Sequence, residues 1–256
     1  MTESLPDLLA VAHKAADAVG DALIAPDVRD HLGIDTKSSV TDMVTVMDRW
    51  CEETIVATIL AARPDDGIRG EEGTNRPSTT GVVWVVDPID GTTNFVRDLP
   101  GFSVSIAAEL NGDAVVGVVH DPVRNERFAA VRGGGATVNG EPLQVSSPVD
   151  LSRSVIATGF SYDPDRRSEQ AKKLVSVLPA VADVRRFGGA AIDCCSVAAG
   201  RLDAYYERGV QDWDIAAGAL IIEEAGGIVE DRRGSEGPFI AASPAIFSDL
   251  LHVLGQ

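Results

Sequence analysis

The sequence predicts a mixed α/β protein made of two layered halves that share an interface. Three observations carry this. Apolar residues recur at helical spacing twice up to residue 62, hairpin-linked strands follow to about residue 140, and beyond residue 150 short strands alternate with helices. The 256 residues suffice for one large domain or two closely packed halves. We divide the chain near residue 150, into 1–150 and 151–256, as one integrated unit with no flexible linker and no repeats.

The elements follow in order. Leu5, Leu8, Leu9, Ala12, Ala16, Val19 and Leu23 give a helix over 5–24. Residues 35–39 are polar and read as a loop. Val44, Met47, Cys51, Ile55, Ile59 and Leu60 line the inner face of a second helix over 42–62, which Pro64-Asp65-Asp66-Gly67 ends. Residues 68–73 form a short strand running into a loop, and 74–81 an exposed, mobile stretch. Val82-Val83-Trp84-Val85-Val86 is β-branched and aromatic, a strand buried on both faces. It stops at Asp87-Pro88-Ile89-Asp90-Gly91-Thr92, which reads as a turn. Strands over 103–110 and 114–120 flank the hairpin signal Asn111-Gly112. Another strand spans 125–131, and Asn139-Gly140 marks a further hairpin. Gly133-Gly134-Gly135 lacks the strand-then-helix setting of a dinucleotide fingerprint and reads as a loop. In the second half, strands are expected at 154–159, 182–186, 204–207, 228–230 and 239–241. Helices are expected at 166–178, 188–199, 213–224 and 244–254, with Gly226-Gly227 closing the third of these.

The formal net charge of −17 argues against nucleic acid and anionic membranes as partners. It would also repel an anionic substrate unless bound cations reverse the sign locally. Cys51, Cys194 and Cys195 have neither zinc-ligand spacing nor a disulfide framework. They read as reduced core residues of a cytoplasmic protein. No apolar run approaches the roughly 18 residues of a membrane span, and Met1-Thr2-Glu3-Ser4 lacks the character of a signal peptide. His13, His31, His120 and His252 form no metal spacing.

Acidic residues gather where apolar runs end: Glu71, the Asp87/Asp90 pair and Asp214 after Trp213, with Asp48 inside the second helix. Taken singly, each has a plain reading as a turn, a solvated patch, a helix cap or a surface charge. Together they form a hard oxygen donor set of the kind magnesium prefers. Pro88 makes the turn between Asp87 and Asp90 rigid and leaves the Ile89 carbonyl free as a further ligand. Gly91 permits close backbone approach, so the Gly91 and Thr92 amides are candidates for holding phosphate.

The blocks Gly70-Glu71-Glu72, Asp87-Pro88-Ile89-Asp90-Gly91-Thr92 and Trp213-Asp214-Ile215-Ala216-Ala217 resemble the signature of the inositol monophosphatase family. Those proteins are magnesium-dependent, lithium-sensitive sugar phosphatases. The resemblance runs in order through Lys37-Ser38-Ser39, Asp42 to Thr45, Asp48, Gly117-Val118-Val119 and Asp203 to Glu207. It implies a layered αβαβα fold and two or three Mg2+ per site. Glu71, Asp87 and the Ile89 carbonyl would hold one ion. Asp87, Asp90 and Asp214 would hold a second, and Glu71 a weaker third through water. Asp48 and Thr92 would orient and deprotonate the attacking water. Substrate would lie against Ile89, Asp90, Gly91, Thr92, Gly188, Gly189, Ala190, Glu207 and Asp214, with Glu207 accepting from hydroxyls.

The implied activity is hydrolysis of inositol monophosphate or a similar small polyol phosphate by a homodimer. Histidinol-phosphate phosphatase is the nearest rival, followed by fructose-1,6-bisphosphatase and 3′-phosphoadenosine phosphatase. A regulatory binding protein of the same fold is the non-enzymatic alternative. The sequence departs from the family at Gly189, where many members carry Thr or Ser. The Arg185-Arg186 pair reads either as a substrate or subunit contact or as a solvated surface pair.

Overall fold

The fold is that of a computed structural model, which describes residues 4–28, 33–37, 43–235 and 237–255. Helix α1 (Leu5–Leu23) carries Pro6 in its first turn and buries Leu8, Ala12, Ala16, Val19 and Leu23 along one side. A two-stranded ribbon follows, β1 (Asp35–Thr36) pairing antiparallel with β2 (Met43–Val44). Helix α2 (Val46–Ala62) begins four residues later than its periodicity suggests. Thr45 in extended conformation caps it, so Val44 belongs to the ribbon. Ser38, Ser39, Asp42 and His31 lie outside the described residues.

An eight-stranded sheet occupies the first half, in the order β10-β9-β8-β7-β6-β5-β3-β4. Its strands are β3 (Gly67–Gly70), β4 (Asn75–Arg76), β5 (Val82–Asp90), β6 (Ser103–Leu110), β7 (Asp113–Asp121), β8 (Glu126–Val131), β9 (Gly135–Val138) and β10 (Glu141–Pro142). Residues 74–81 are therefore partly ordered by strand pairing, Ile68 with Arg76 and Arg69 with Asn75. The largest departure from the sequence reading lies in β5. This strand does not end at Val86 but continues through both acids to Asp90. Pairing with β6 slips by one residue between Asp87–Ser105 and Asp90–Ser103. The bulge takes Pro88, which has no N–H to give, out of the ladder. The short helix α3 (Thr92–Val96) follows at once.

The second half forms a five-stranded sheet ordered β12-β11-β13-β15-β14. Its strands are β11 (Val155–Thr158), β12 (Asp183–Arg185), β13 (Ala204–Glu207), β14 (Ile228–Asp231) and β15 (Phe239–Ala242). Helices α4 (Pro164–Val177), α5 (Ala190–Ala198), α6 (Asp212–Glu224) and α7 (Phe247–Leu254) accompany it. Helix α4 starts early because Asp163 caps it and Pro164 suits its first position.

Three apolar clusters reveal the layers. One joins α1 and α2 to the outer face of the large sheet, through Leu8, Val19, Ile55, Trp84, Val86 and Ile106. The second sits between the sheets, where α5 and α6 meet Val85, Ala107 and Val119 on one side and Ala157, Tyr205 and Phe239 on the other. The third covers the outer face of the small sheet with Val177, Leu250 and Leu254 over Ile156, Tyr206 and Ile240. The alternation Trp84-out, Val85-in, Val86-out follows the two-residue strand period. The result is an αβαβα stack. Its middle helices face sheets on both sides, and all nine residues of α5 are buried. No helix among the described residues is long and apolar enough to cross a membrane.

Candidate active site

Strand register brings the acids together. Strand β3 runs parallel to β5 with Gly70 beside Val86, and the Glu71 amide donates to the Val86 carbonyl at 3.1 Å. Glu71 thus emerges level with Asp87. On the other side of β5, Asp87 pairs with Ser105, whose hydroxyl donates to the Trp213 carbonyl at 3.1 Å. That bond, between residues 108 positions apart, pins the first turn of α6, so Asp214, next to Trp213, reaches the same place. Oxygens of Asp87, Asp90 and Asp214 lie within 4.8 Å of one another. The bulge is what turns Asp90 toward the cluster as well as Asp87.

Local hydrogen bonds fix each carboxylate. Asp87 Oδ1 accepts from the Ile89 amide at 3.0 Å. Asp90 accepts from the Ala190 and Ala191 amides at 3.1 and 2.8 Å, capping α5 from the other half of the molecule. Asp214 Oδ2 accepts from the Gln211 amide at 2.6 Å, the reciprocal half of a capping box. Asp48 sits in the first turn of α2, fully buried, and takes the Thr45 amide and hydroxyl at 2.7 and 2.6 Å. Thr92 Oγ1 lies 3.0 Å from both Asp48 Oδ1 and the Ile89 carbonyl. A proton can therefore pass from Thr92 to Asp48 without side-chain movement.

These acids resist ionising together. Burial, then the charges of Glu71, Asp90 and Asp214, push Asp87 well above the usual carboxylate range. Asp90 is pushed up to about 7 by burial, with the two α5 amides opposing. Asp214 is raised well by burial and by Asp90, and Asp48 is raised by burial against its Thr45 and Thr92 hydrogen bonds. Among the described residues no Lys or Arg pairs with Asp87, Asp90 or Asp214. At the cluster's edge stands Lys37, whose Nζ lies 2.8 Å from Glu71 and also bonds Glu72. Burial opposes the Lys37 charge, but the two glutamates outweigh it and raise its pKa. An ammonium drawn to Glu71 and a set of otherwise unpaired carboxylates fit hard divalent cations by donor type and by charge.

The acids open into a cavity of about 530 Å³ whose walls include Ile89, Gly91, Thr92, Gly188, Ala190 and Glu207. Gly91 has φ +88°, and a Cβ there would lie 2.7 Å from the Gly101 carbonyl, so only glycine fits. Gly189 lies behind the wall rather than on it. A Cβ at that position would come within 2.9 Å of Asp90 Oδ2 and of the Gly101 carbonyl. The missing hydroxyl of Gly189 therefore goes with close backbone packing under Asp90. Glu207 Oε2 accepts from Tyr205 Oη at 2.7 Å, which fixes the carboxylate at the far end of the cavity. The Arg pair splits: Arg185 bonds Asp183, while Arg186 lies on the cavity wall against Gly188. His120 is buried against Gly20 of α1 and does not line the cavity.

Sequence reasoning missed three contributors. Glu52 is buried in α2 and accepts from the Glu72 amide, the Thr74 amide and Thr74 Oγ1 at 2.7, 3.0 and 2.6 Å, holding the loop that presents Glu71. Its place one turn beyond Asp48 on α2 was the available signal. Lys37 was seen as part of a motif but not as a partner of Glu71. Asp193, buried in α5 and lining the cavity, stands in an apolar stretch, and an acid inside such a stretch is itself a signal.

A mixed α/β sandwich with several carboxylates gathered at one cavity is the fold and site of a phosphatase family. The chain belongs to the inositol monophosphatase family, whose signature matches residues 4–252. It is 46% identical over 231 residues to the inositol-1-monophosphatase SuhB of Mycobacterium tuberculosis strain H37Rv, covering 85% of this chain and 80% of that one. It is 44% identical over 253 residues to the Nus factor SuhB of Pasteurella multocida, covering 96% and 94%. The crystal structure of extragenic suppressor protein SuhB from Bartonella henselae superposes with a TM-score of 0.92 at 36% identity, covering 98% of this chain and 99% of that one.

Proposed function

We propose that the protein is a magnesium-dependent phosphomonoesterase acting on small polyol phosphates, with inositol monophosphate as the best-matched substrate. The convergence of Glu71, Asp87, Asp90 and Asp214 on one cavity carries this reading. Glu71, Asp87 and the Ile89 carbonyl would hold one ion, Asp87, Asp90 and Asp214 a second, and Glu71 a third through water. Magnesium bound there supplies Lewis-acid stabilisation of charge on the phosphoryl oxygens. The chain's own residues do the rest. Thr92 Oγ1 orients a water in line with the phosphorus and passes its proton to Asp48 Oδ1 along the 3.0 Å contact. Gly91 and Thr92 face the phosphate, and Glu207 receives hydroxyls of the alcohol. No covalent nucleophile is needed, and burial pushes the thiols of Cys51, Cys194 and Cys195 up, away from the reactive thiolate.

A binding role like that suggested by the name Nus factor is the second reading, favoured by the 44% identity to that relative. The intact acid set favours catalysis. A steady-state panel of inositol 1-phosphate, histidinol phosphate, fructose 1,6-bisphosphate and 3′-phosphoadenosine 5′-phosphate with magnesium tests the substrate. We expect inositol 1-phosphate to have the highest kcat/KM, and a far higher value for histidinol phosphate would refute it. Asp90→Asn should lower turnover by roughly two orders of magnitude or more, since an amide withholds the ligand charge. An inactive wild type would leave only the binding role. Inhibition by lithium and a dimeric sedimentation coefficient are expected on the strength of family membership.

A further inference from the structure

Asp193 is 2% exposed, its Oδ1 has no hydrogen-bond partner, and the residue lines the cavity. A buried carboxylate oxygen left without a donor is costly, so a native structure that keeps one has a use for it. Nothing in the metal cluster claims Asp193. Asp90, the acid of the cluster whose charge acts on Asp193, is already committed to the Ala190 and Ala191 amides one turn earlier on α5. Facing Asp193 is Glu207, one of whose oxygens is held by Tyr205. Arg186 lies on the same wall, and its positive charge acts on both Asp193 and Glu207.

We propose that Asp193 is a specificity-determining residue that, paired with Glu207, accepts hydrogen bonds from hydroxyls of the leaving alcohol. The pair forms an acceptor wall opposite the phosphate end of the cavity. Two adjacent acceptors match the neighbouring hydroxyls of a polyhydroxylated ring or chain. The same geometry would accept an ammonium, but Arg186 already supplies positive charge at that wall, so neutral hydroxyl donors are favoured over an amino alcohol. The selection is strong in principle, because a substrate without the hydroxyls leaves buried acceptors unpaired. This assignment rests on the phosphatase reading only for its kinetic consequence, since recognition of the polyol is a binding property.

The test compares wild type with Asp193→Ala and with Asp193→Asn, which keeps an acceptor oxygen. Substrates are myo-inositol 1-phosphate, 4-nitrophenyl phosphate, which offers no hydroxyl, and 2-aminoethyl phosphate. In the alanine variant kcat/KM for the inositol ester should fall by about 10- to 100-fold, while that for the nitrophenyl ester stays within about threefold. The asparagine variant should recover part of the loss. Equal losses on both esters, or none, overturn the proposal, as does a wild-type preference for the aminoethyl ester over the inositol ester. Saturation-transfer NMR of free myo-inositol on metal-free protein separates this proposal from the phosphatase reading. Transfer in wild type that is lost in Asp193→Ala supports the acceptor wall even if no ester is hydrolysed, and the phosphatase reading alone then fails. No transfer in wild type, or equal transfer in both proteins, overturns the proposal. Thermal melting guards against misfolding: both variants should melt close to wild type, because the carboxyl they replace has a buried Oδ1 that no donor reaches.

Discussion

At the scale of single residues, the far wall of the cavity depends on one absent side chain. A Cβ on Gly159 would lie 1.7 Å from Glu207 Oε2. The obstruction is the end of a movable side chain rather than backbone, so Gly159→Ala should fold with little loss of stability. Glu207 would swing away and give up the Tyr205 hydrogen bond that fixes it. KM for the polyol ester should therefore rise by about tenfold, the cost of losing a placed acceptor, with kcat for a plain aryl ester nearly unchanged. Steady-state kinetics on the two esters read this out, and a fall in kcat on both would point instead to damage at the acid cluster. The sequence shows Gly159 and Glu207 as residues 48 positions apart, and no periodicity relates them.

At the scale of elements, helix ends aim the acids proposed for catalysis. The capping box of α2 fixes Asp48, that of α6 fixes Asp214, and the start of α5 is capped by Asp90. Thr45→Ala removes a capping hydroxyl and should cost about 1 kcal/mol of stability, measurable by urea denaturation. It also removes a donor that favours ionised Asp48. Burial already holds that carboxyl above its ordinary value, so losing the hydroxyl raises it further. The acid limb of the pH–rate profile should move to higher pH, with more activity lost near pH 6 than near pH 9, roughly in proportion to the unprotonated fraction. An unmoved limb would mean that Asp48 is not the base. Of these caps, the one at Thr45 was concealed because the periodic apolar pattern runs through Val44. The pattern cannot tell a helix start from a strand that happens to be in phase with it.

At the scale of the whole molecule, the proposed metal site would couple cation binding to folding through its carboxylates. In metal-free protein Asp87, Asp90 and Asp214 keep protons that the unfolded chain releases near pH 4. Their contribution to stability is complete below that pH and is lost as pH rises through the folded values, about 7 for Asp90. Metal binding needs the deprotonated acids and so stabilises more at higher pH. Melting in EDTA should occur at lower temperature near pH 8 than near pH 5.5, and the rise in Tm on adding magnesium should be larger near pH 8. Equal gains at both pH values would show that the cluster is not where the ion binds. The net charge of −17 adds to the same trend, since a cation relieves repulsion across the cleft.

The sequence by itself determined the helix–hairpin–alternating order, the identity of the acids and, through its motif blocks, the family. These are local in origin: apolar period, turn chemistry and short contiguous motifs are written within a few residues of one another. It did not determine that β5 runs on through Asp87 and Asp90, that Glu52 holds the Glu71 loop, or that Asp193 faces Glu207. Those outcomes depend on pairing partners far away in the chain. Ser105 and Ser103 decide where β5 bulges, the parallel β3 sets Glu71 level with Asp87, and α6 reaches the cluster only because it is packed between two sheets. Tertiary structure decides them because a strand's end, a cap across two halves and an unpaired buried oxygen are properties of contacts, and contacts between distant residues leave no periodic trace in one sequence.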